Sequence, residues 1–370
     1  MGEYVLAGKK VGRRDRKAAF YAHLRTIAAD DLFTAKRSGA KKLLARTLVC
    51  FFSTLLLGFS FLTGVLLVIF RGPSEAARDL LVCSLEETSA LKFVPRLFLS
   101  DELVGEILAP EPDSFRTLRV KDVALPLPEG EAALEESSET VELRDIRGTT
   151  WKGKLLIIRD PSLVEFASLP SFGEEGRYLR DFVSVNNALA GTNAGGFEDP
   201  DGMGNGSIPD GLVIAGGRIV WGSPHTVYNG VAFFDEDDRL HVGCMSGQAA
   251  LDQNARCGVS FAPGPTLIMD GERQSGWGSS LNPRTCIGQR EDGTVLLAVI
   301  EGRYPASLGA TYDDLADLME DYGAVNAANL DGGSSSTMFY RGEQITRGSN
   351  IVGARPLPTA ILVMREGNKG

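Results

Sequence analysis

The 370-residue sequence predicts an α/β (α+β) fold: a mixed central β-sheet with few helices, preceded by a single transmembrane helix and a helical stalk. Three observations carry this. An uncharged apolar run of 24 residues, Thr47–Phe70, lies near the N-terminus. Helix-period segments and Pro/Glu-rich stretches follow it to about residue 140. From Val141 onward come short β-rich runs bounded by Gly, Asp and Pro, with one clear helix among them.

The first 46 residues hold twelve Lys/Arg against four Asp/Glu, a balance of +8. The remaining chain holds 26 against 44, a balance of −18, so the net charge of −10 hides two opposite halves. The run between them contains 16 Leu, Phe, Val or Ile. At about −0.3 to −0.6 kcal/mol each in mid-bilayer, these offer at most roughly −5 to −10 kcal/mol towards insertion. At ~1.5 Å per residue the run crosses a bilayer. It exceeds the ~7–15 residues of a signal-peptide core, and no small-x-small cleavage site follows closely. The expectation is an uncleaved signal anchor over 47–70, with residues 1–46 as a basic cytoplasmic tail and the acidic remainder extracellular. A basic run against a membrane span is explained by the membrane, so no nucleic-acid partner is expected.

Residues 71–140 read as a helical stalk and acidic linker. "SEAARDLLVCSLEET" has apolar residues at helical spacing, and "SDELVGEIL" opens on an N-cap, Ser100. "APEPDSF" and "PLPEGEAALEESSET" have linker composition. Residues 141–370 form the main domain. "GRIVW" and "DDRLHVG" read as hairpin returns. "TYDDLADLMEDYG" reads as a helix capped by Thr311, with Asp313 and Asp314 at its positive end and Gly323 to stop it. Five cysteines cannot make a disulfide framework, although Cys244 and Cys257 could pair outside the cell; no CxxC or Cys/His zinc spacing occurs.

Six stretches are candidates for chemistry. In "GTNAGGFEDPDG", Asn193 precedes Gly195 and Gly196, a turn that lets backbone amides approach a ligand or simply closes a hairpin. Pro209-Asp210-Gly211 is a turn signature, and Asp210 is read as structural. Arg284, Arg303 and Arg355 each enter or leave an apolar strand; together they suggest an anionic substrate, singly a surface ion pair. "NAANLDGGSSSTMFY" sets Asp331 at a strand end, followed by two glycines and four hydroxyl residues, between apolar segments.

"NAGGF", "PDGLVI", "PRTCIG", "EGR", "NLDGGSSST" and "RPLPTAILV" together resemble the phosphodiester glycosidase family, in its order and rough spacing, over about residues 145–370. That family includes bacterial proteins labelled exopolysaccharide biosynthesis proteins. The resemblance implies a sheet-centred domain that hydrolyses the bond between a sugar C1 and a phosphodiester. It places Asn193, Gly195, Gly196, Arg284, Thr285, Glu301, Arg303, Asp331, Gly332, Gly333, Ser335 and Thr337 on motif positions. The chain departs from the pattern at Ser334, where a third Gly is usual, at Glu301, where Asp is commoner, and at Cys286.

The resulting expectation is a membrane-anchored extracellular glycosidase acting on cell-surface or exopolysaccharide glycans. Arg284 and Arg303, with Arg355 behind them, would hold phosphate. Asp331 would act as nucleophile or base, with Glu301 as the second carboxylate. Asn193, Gly195, Gly196, Thr285, Gly332, Gly333, Ser335 and Thr337 would contact substrate. No cofactor is expected, though Asp331 could instead join other carboxylates around a divalent cation. Two further readings stay open: a non-catalytic glycan-binding protein, and a serine hydrolase using Ser335 or Ser336. The latter lacks a histidine with evident triad context among His23, His225 and His241.

Overall fold

The computed structural model describes residues 13–86, 91–108, 139–200, 204–261, 266–275, 280–348 and 354–367. The chain divides into two compact units, Met1–Val68 and Ile69–Gly370.

One helix, Arg13–Arg71, runs through the first unit without a break at the expected tail boundary. Its Leu44–Arg71 portion carries an 18-residue stretch of mean hydropathy 2.2, none of that stretch buried against other protein, and is long and apolar enough to cross a membrane by length and composition.

The second unit begins with the stalk. Helices Glu75–Glu86 and Asp101–Leu108 form where the apolar spacing predicts them, and Ser100 Oγ accepts the Leu103 amide at 3.3 Å as a cap. Phe70 stacks on Phe98 at 5.1 Å, and Val82 and Val104 are fully buried. Most of the Pro/Glu-rich linker, 109–138, lies outside the described residues.

The domain that follows is built on a seven-stranded sheet. In spatial order its strands are Val141–Arg147, Lys152–Ile158, Val295–Ile300, Arg284–Arg290, Ala324–Asn329, Thr266–Met269 and Glu272–Arg273. The runs "LLII" and "VLLAVI" are buried on both faces. Leu155, Ile157, Leu296 and Ala298 pack under the helix Tyr312–Asp321 with Leu315 and Met319. Leu156, Ile158, Leu297 and Val299 face the opposite way, against Phe166, Phe234, Val259, Met338 and Ile361 of two five-stranded sheets. One of those sheets orders Arg218–Trp221, Val213–Ala215, Ala255–Ser260, Val227–Asp235 and Leu240–Ser246. The other orders Glu343–Gln344, Met338–Tyr340, Ala190–Asn193, Thr359–Val363 and Val164–Ser168.

This is the α+β arrangement, with sheet dominating helix. The expected mixed sheet is refined in one respect: every pairing among the described strands is antiparallel. Continuous apolar runs usually mark parallel strands, because both faces are covered. Here a helix on one face and two sheets on the other supply the cover. Both predicted hairpins form, one through Gly216-Gly217 and one through Asp238, all at positive φ. Cys244 and Cys257 are not paired: Cys257 is buried, Cys244 exposed.

The helix Tyr312–Asp321 starts in a capping box. Thr311 Oγ1 accepts the Asp314 amide at 3.1 Å, and the Asp314 carboxylate accepts the Thr311 amide at 2.7 Å. Thr311→Ala should lower unfolding free energy by about 1 kcal/mol and Thr311→Ser by much less. Urea titration of the two variants checks this, and equal losses would contradict the cap.

Candidate active site

Antiparallel pairing decides where the motif residues meet. Arg284 opens its strand opposite Ile300, and Cys286 stands opposite Asn329. The start of one strand therefore lies with the ends of its two neighbours. Arg284, the loop after Ile300 carrying Arg303, and the turn after Asn329 carrying Asp331 all emerge at one end of these three central strands. The Ala190–Asn193 strand joins them from another sheet, where the Asp331 amide donates to Ala194 O at 2.9 Å.

A cavity of 290 Å³ opens there. Its wall includes Gly196, Arg284, Arg303, Asp331, Gly332, Gly333, Ser335 and Arg355 among the expected residues. Phe197, Asp199, Asp210, Asn282, Tyr312 and Ser334 also line it.

The turn at Asp331 is shaped by close backbone approach. The Gly333 amide donates to Pro283 O at 2.8 Å, and a Cβ on Gly332 would stand 2.8 Å from that same oxygen. Gly333 takes φ +59°, and a Cβ there would stand 3.2 Å from the Arg303 guanidinium. Two consecutive glycines are what this geometry demands.

Asp331 is half-buried, and burial pushes its pKa up to about 7. Hydrogen bonds from Ser335 and the Gly332 amide oppose the rise, as does the charge of Arg355; Asp199 adds to it. Asp331 Oδ2 is buried without a hydrogen-bond partner among the described residues.

The arginines are held differently. Arg284, 3% exposed, donates to Ser280 Oγ at 2.7 Å and to Ala310 O at 3.2 Å, with its guanidinium 3.9 Å from the centre of the Tyr312 ring. Arg303 takes φ +65° and donates to Asn282 Oδ1 at 3.1 Å. Arg355 makes a two-pronged ion pair with Asp199, both contacts 2.6 Å, over the Phe197 ring. The segment carrying Asn282 and Arg284 also meets the stalk, where the Leu281 amide donates to Ser84 Oγ at 2.8 Å.

Several expected contacts are corrected. Asn193 is fully buried and braces the site rather than facing substrate. Its Nδ2 donates to Asp331 O at 2.5 Å, while its Oδ1 accepts Thr285 Oγ1 at 2.8 Å and the Thr337 amide at 3.2 Å. Thr285 is therefore a brace as well. Gly195 packs against Ser260 and Val259. Thr337 lines a neighbouring cleft instead. Glu301 lies off the cavity wall. Its carboxylate accepts the Tyr304 hydroxyl and, at 2.6 Å, the Arg347 amide, so it ties two loops together. Asp199 and Asp210 are the carboxylates that share the wall with Asp331, and Asp210 is exposed. Of the other departures from the motif, Cys286 is core beneath the helix and Ser334 sits 3.4 Å from Arg355 Nη1.

The sequence could have flagged Asp199, an acid two residues beyond "NAGGF". Tyr312 carried no signal of its own role, because a helix N-terminal aromatic reads as core. Neither His225 nor His241 lines the cavity, and His241 pairs with Asp235 on a distant hairpin, so the serine-hydrolase reading gains no support. Among the described residues no three His, Cys, Asp or Glu side chains group as a metal site.

Residues 186–364 match the phosphodiester glycosidase family model. The chain superposes with TM-score 0.51 on the catalytic domain of zebrafish N-acetylglucosamine-1-phosphodiester α-N-acetylglucosaminidase, auto-inhibited by its pro-peptide. That superposition covers 62% of this chain and 85% of that one at 20% identity, which makes it a likeness of fold. A putative exported protein of Burkholderia pseudomallei superposes at TM-score 0.42 and 18% identity, over 58% of this chain and 74% of that one. The SPbeta prophage-derived uncharacterized protein YomE of Bacillus subtilis (strain 168) is 34% identical over 120 residues, 30% of this chain. The chain spans only 18% of that relative's length. The family resemblance drawn from the motifs is borne out, and it supports a glycosidase-type function.

The raised pKa of Asp331 has a consequence for stability. Its neutral form is favoured in the fold, so the contribution is intact below the ordinary carboxylate pKa and is lost as pH rises through about 7. At pH 8 the ionised group costs at most about 4 kcal/mol, less where water screens it. Asp331→Asn should therefore melt above the wild type at pH 8 and converge with it near pH 4.5. Calorimetry of the detergent-solubilised chain checks this; identical differences at the two pH values would refute it.

Proposed function

We propose that this phosphodiester glycosidase domain hydrolyses the bond between C1 of a sugar and the oxygen of a phosphodiester, releasing free sugar and a phosphate monoester. One observation carries the reading: the half-buried Asp331 carboxylate shares a single cavity with the guanidinium groups of Arg284 and Arg303.

The chemistry follows from the leaving group. Ordinary glycosidases protonate a poor alkoxide with one carboxylic acid while a second carboxylate serves as base or nucleophile. A phosphate leaves with the C1–O electron pair and needs no such proton. The site must instead stabilise negative charge on the phosphate oxygens and positive charge on the sugar ring. Arg284 and Arg303 serve the first need. The ionised Asp331 serves the second, and either takes the proton from the water attacking C1 or bonds C1 itself before water displaces it. A pKa near 7 suits a group that works as a base at neutral pH. Arg355, committed to Asp199, shapes the wall, and Asp210, exposed on the same wall, stands in for Glu301 as the second carboxylate.

In this reading the Leu44–Arg71 helix is a signal anchor, the basic segment before it stays cytoplasmic, and the domain faces outward onto cell-surface or exopolysaccharide glycans. The zebrafish enzyme's name makes an N-acetylglucosamine-1-phosphodiester the first substrate to try.

With that substrate, kcat/KM should fall about tenfold per pH unit below an acid limb near pH 7. Asp331→Asn should lose roughly 10²–10⁴-fold in kcat. A profile flat from pH 5.5 to 8.5, or a fully active Asp331→Asn, would refute the assignment. Arg284→Lys keeps the charge but loses the planar fork stacked on Tyr312, and should lose about 10²-fold. Wild-type kinetics in that variant would exclude Arg284 from phosphate binding.

A further inference from the structure

Two arginines of the Asp331 cavity lean on one short segment, residues 280–282. Arg284 donates through Nη2 to Ser280 Oγ at 2.7 Å and to Ser280 O at 3.0 Å. Arg303 donates through Nη2 to Asn282 Oδ1 at 3.1 Å. Ser280 and Asn282 are buried, so these acceptors are fixed parts of the wall rather than mobile surface groups. A guanidinium points where its acceptors hold it. Any shift of residues 280–282 therefore turns both cations at once.

The segment has two anchors of its own. Asn282 pairs with Ala310 of the main domain, amide to carbonyl in both directions, at 3.2 and 3.0 Å. Residue 281, between the two acceptors, is held from the stalk: the Leu281 amide donates to Ser84 Oγ at 2.8 Å. Ser84 lies in the last turn of the helix Glu75–Glu86 and is half-buried. Its hydroxyl proton is committed to Leu80 O at 2.7 Å, one turn back, which leaves an oxygen lone pair for the Leu281 amide. The hydroxyl is thus an oriented acceptor on a helix, set against the peptide that joins the supports of Arg284 and Arg303.

We propose that Ser84 is a positioning residue of the active site. By anchoring the Leu281 amide it keeps Ser280 and Asn282 where they aim Arg284 and Arg303 at the phosphate. The inference rests on the reaction assigned above and adds a residue outside the family-matched stretch 186–364, so that the stalk is a working part of the site as well as a spacer.

The test uses the detergent-solubilised full chain and the methyl diester of N-acetyl-α-glucosamine 1-phosphate. Ser84→Ala should lower kcat/KM about tenfold, and weaken inhibition by inorganic phosphate by a similar factor, because small misplacements of a substrate clamp are costly. Ser84→Thr keeps the hydroxyl and should recover both constants. The acid limb near pH 7 should not move in either variant, because Asp331 is untouched. Ser100→Ala supplies the structural control: it removes a cap from the other stalk helix, away from residues 280–282, and should leave both constants at their wild-type values. Wild-type kinetics in Ser84→Ala, a Ser84→Thr as impaired as Ser84→Ala, or an equal loss in Ser100→Ala would each overturn the assignment of Ser84. Should the diester not be turned over at all, the assigned reaction fails separately. The calorimetric Kd of inorganic phosphate then decides Ser84 by the same comparison of variants, and a wild-type chain that binds no phosphate would overturn it too.

Discussion

One buried amide holds the site together. Asn193 ends a strand of one sheet, receives a hydroxyl from Thr285 in a second, and is bonded by both ends of the Asp331–Thr337 turn. All these partners are inside protein, where an unmade hydrogen bond costs about 1–3 kcal/mol and a completed network fixes one arrangement. The Asp331 backbone is pinned through its carbonyl to Asn193 and through its amide to Ala194. Without that node the two sheets would still bury their apolar faces, but the carboxylate would have no fixed relation to Arg284 or Arg303.

The electrostatics of the cavity follow from this construction. A carboxylate pinned in a half-buried turn loses hydration, so its neutral form is favoured near pH 7 even though cations stand nearby. Arg355 and Asp199, paired face to face, act on it in opposite directions, the cation lowering its pKa and the carboxylate raising it. Arg284 is stacked on Tyr312 and hydrogen-bonded to Ser280 in a fixed pose. A group whose ionisation opposes folding, yet which is retained in a brace of hydrogen bonds, fits the exchange of stability for chemistry expected at active sites.

Much of the fold is legible along the chain because its signals are local. Thr311, Asp314 and Gly323 mark the ends of their helix, Gly216-Gly217 marks a hairpin, and the charge-free run of Thr47–Phe70 marks an exposed apolar helix. Those features need only neighbouring residues. Strand direction was less legible: "LLII" and "VLLAVI" read as buried on both sides, but what covers them comes from Tyr312–Asp321 and from two other sheets.

The sequence alone determined the class of fold and the family motifs. The tertiary structure decided which motif residues touch the cavity and which brace it. Glu301 and Asn193 lie on motif positions, Glu301 where Asp is commoner, yet one ties two loops and the other knots two sheets. The reason is physical. A motif records that a residue type is needed, whereas its task depends on where the side chain points, and that is fixed by partners as far as 144 positions away in the chain.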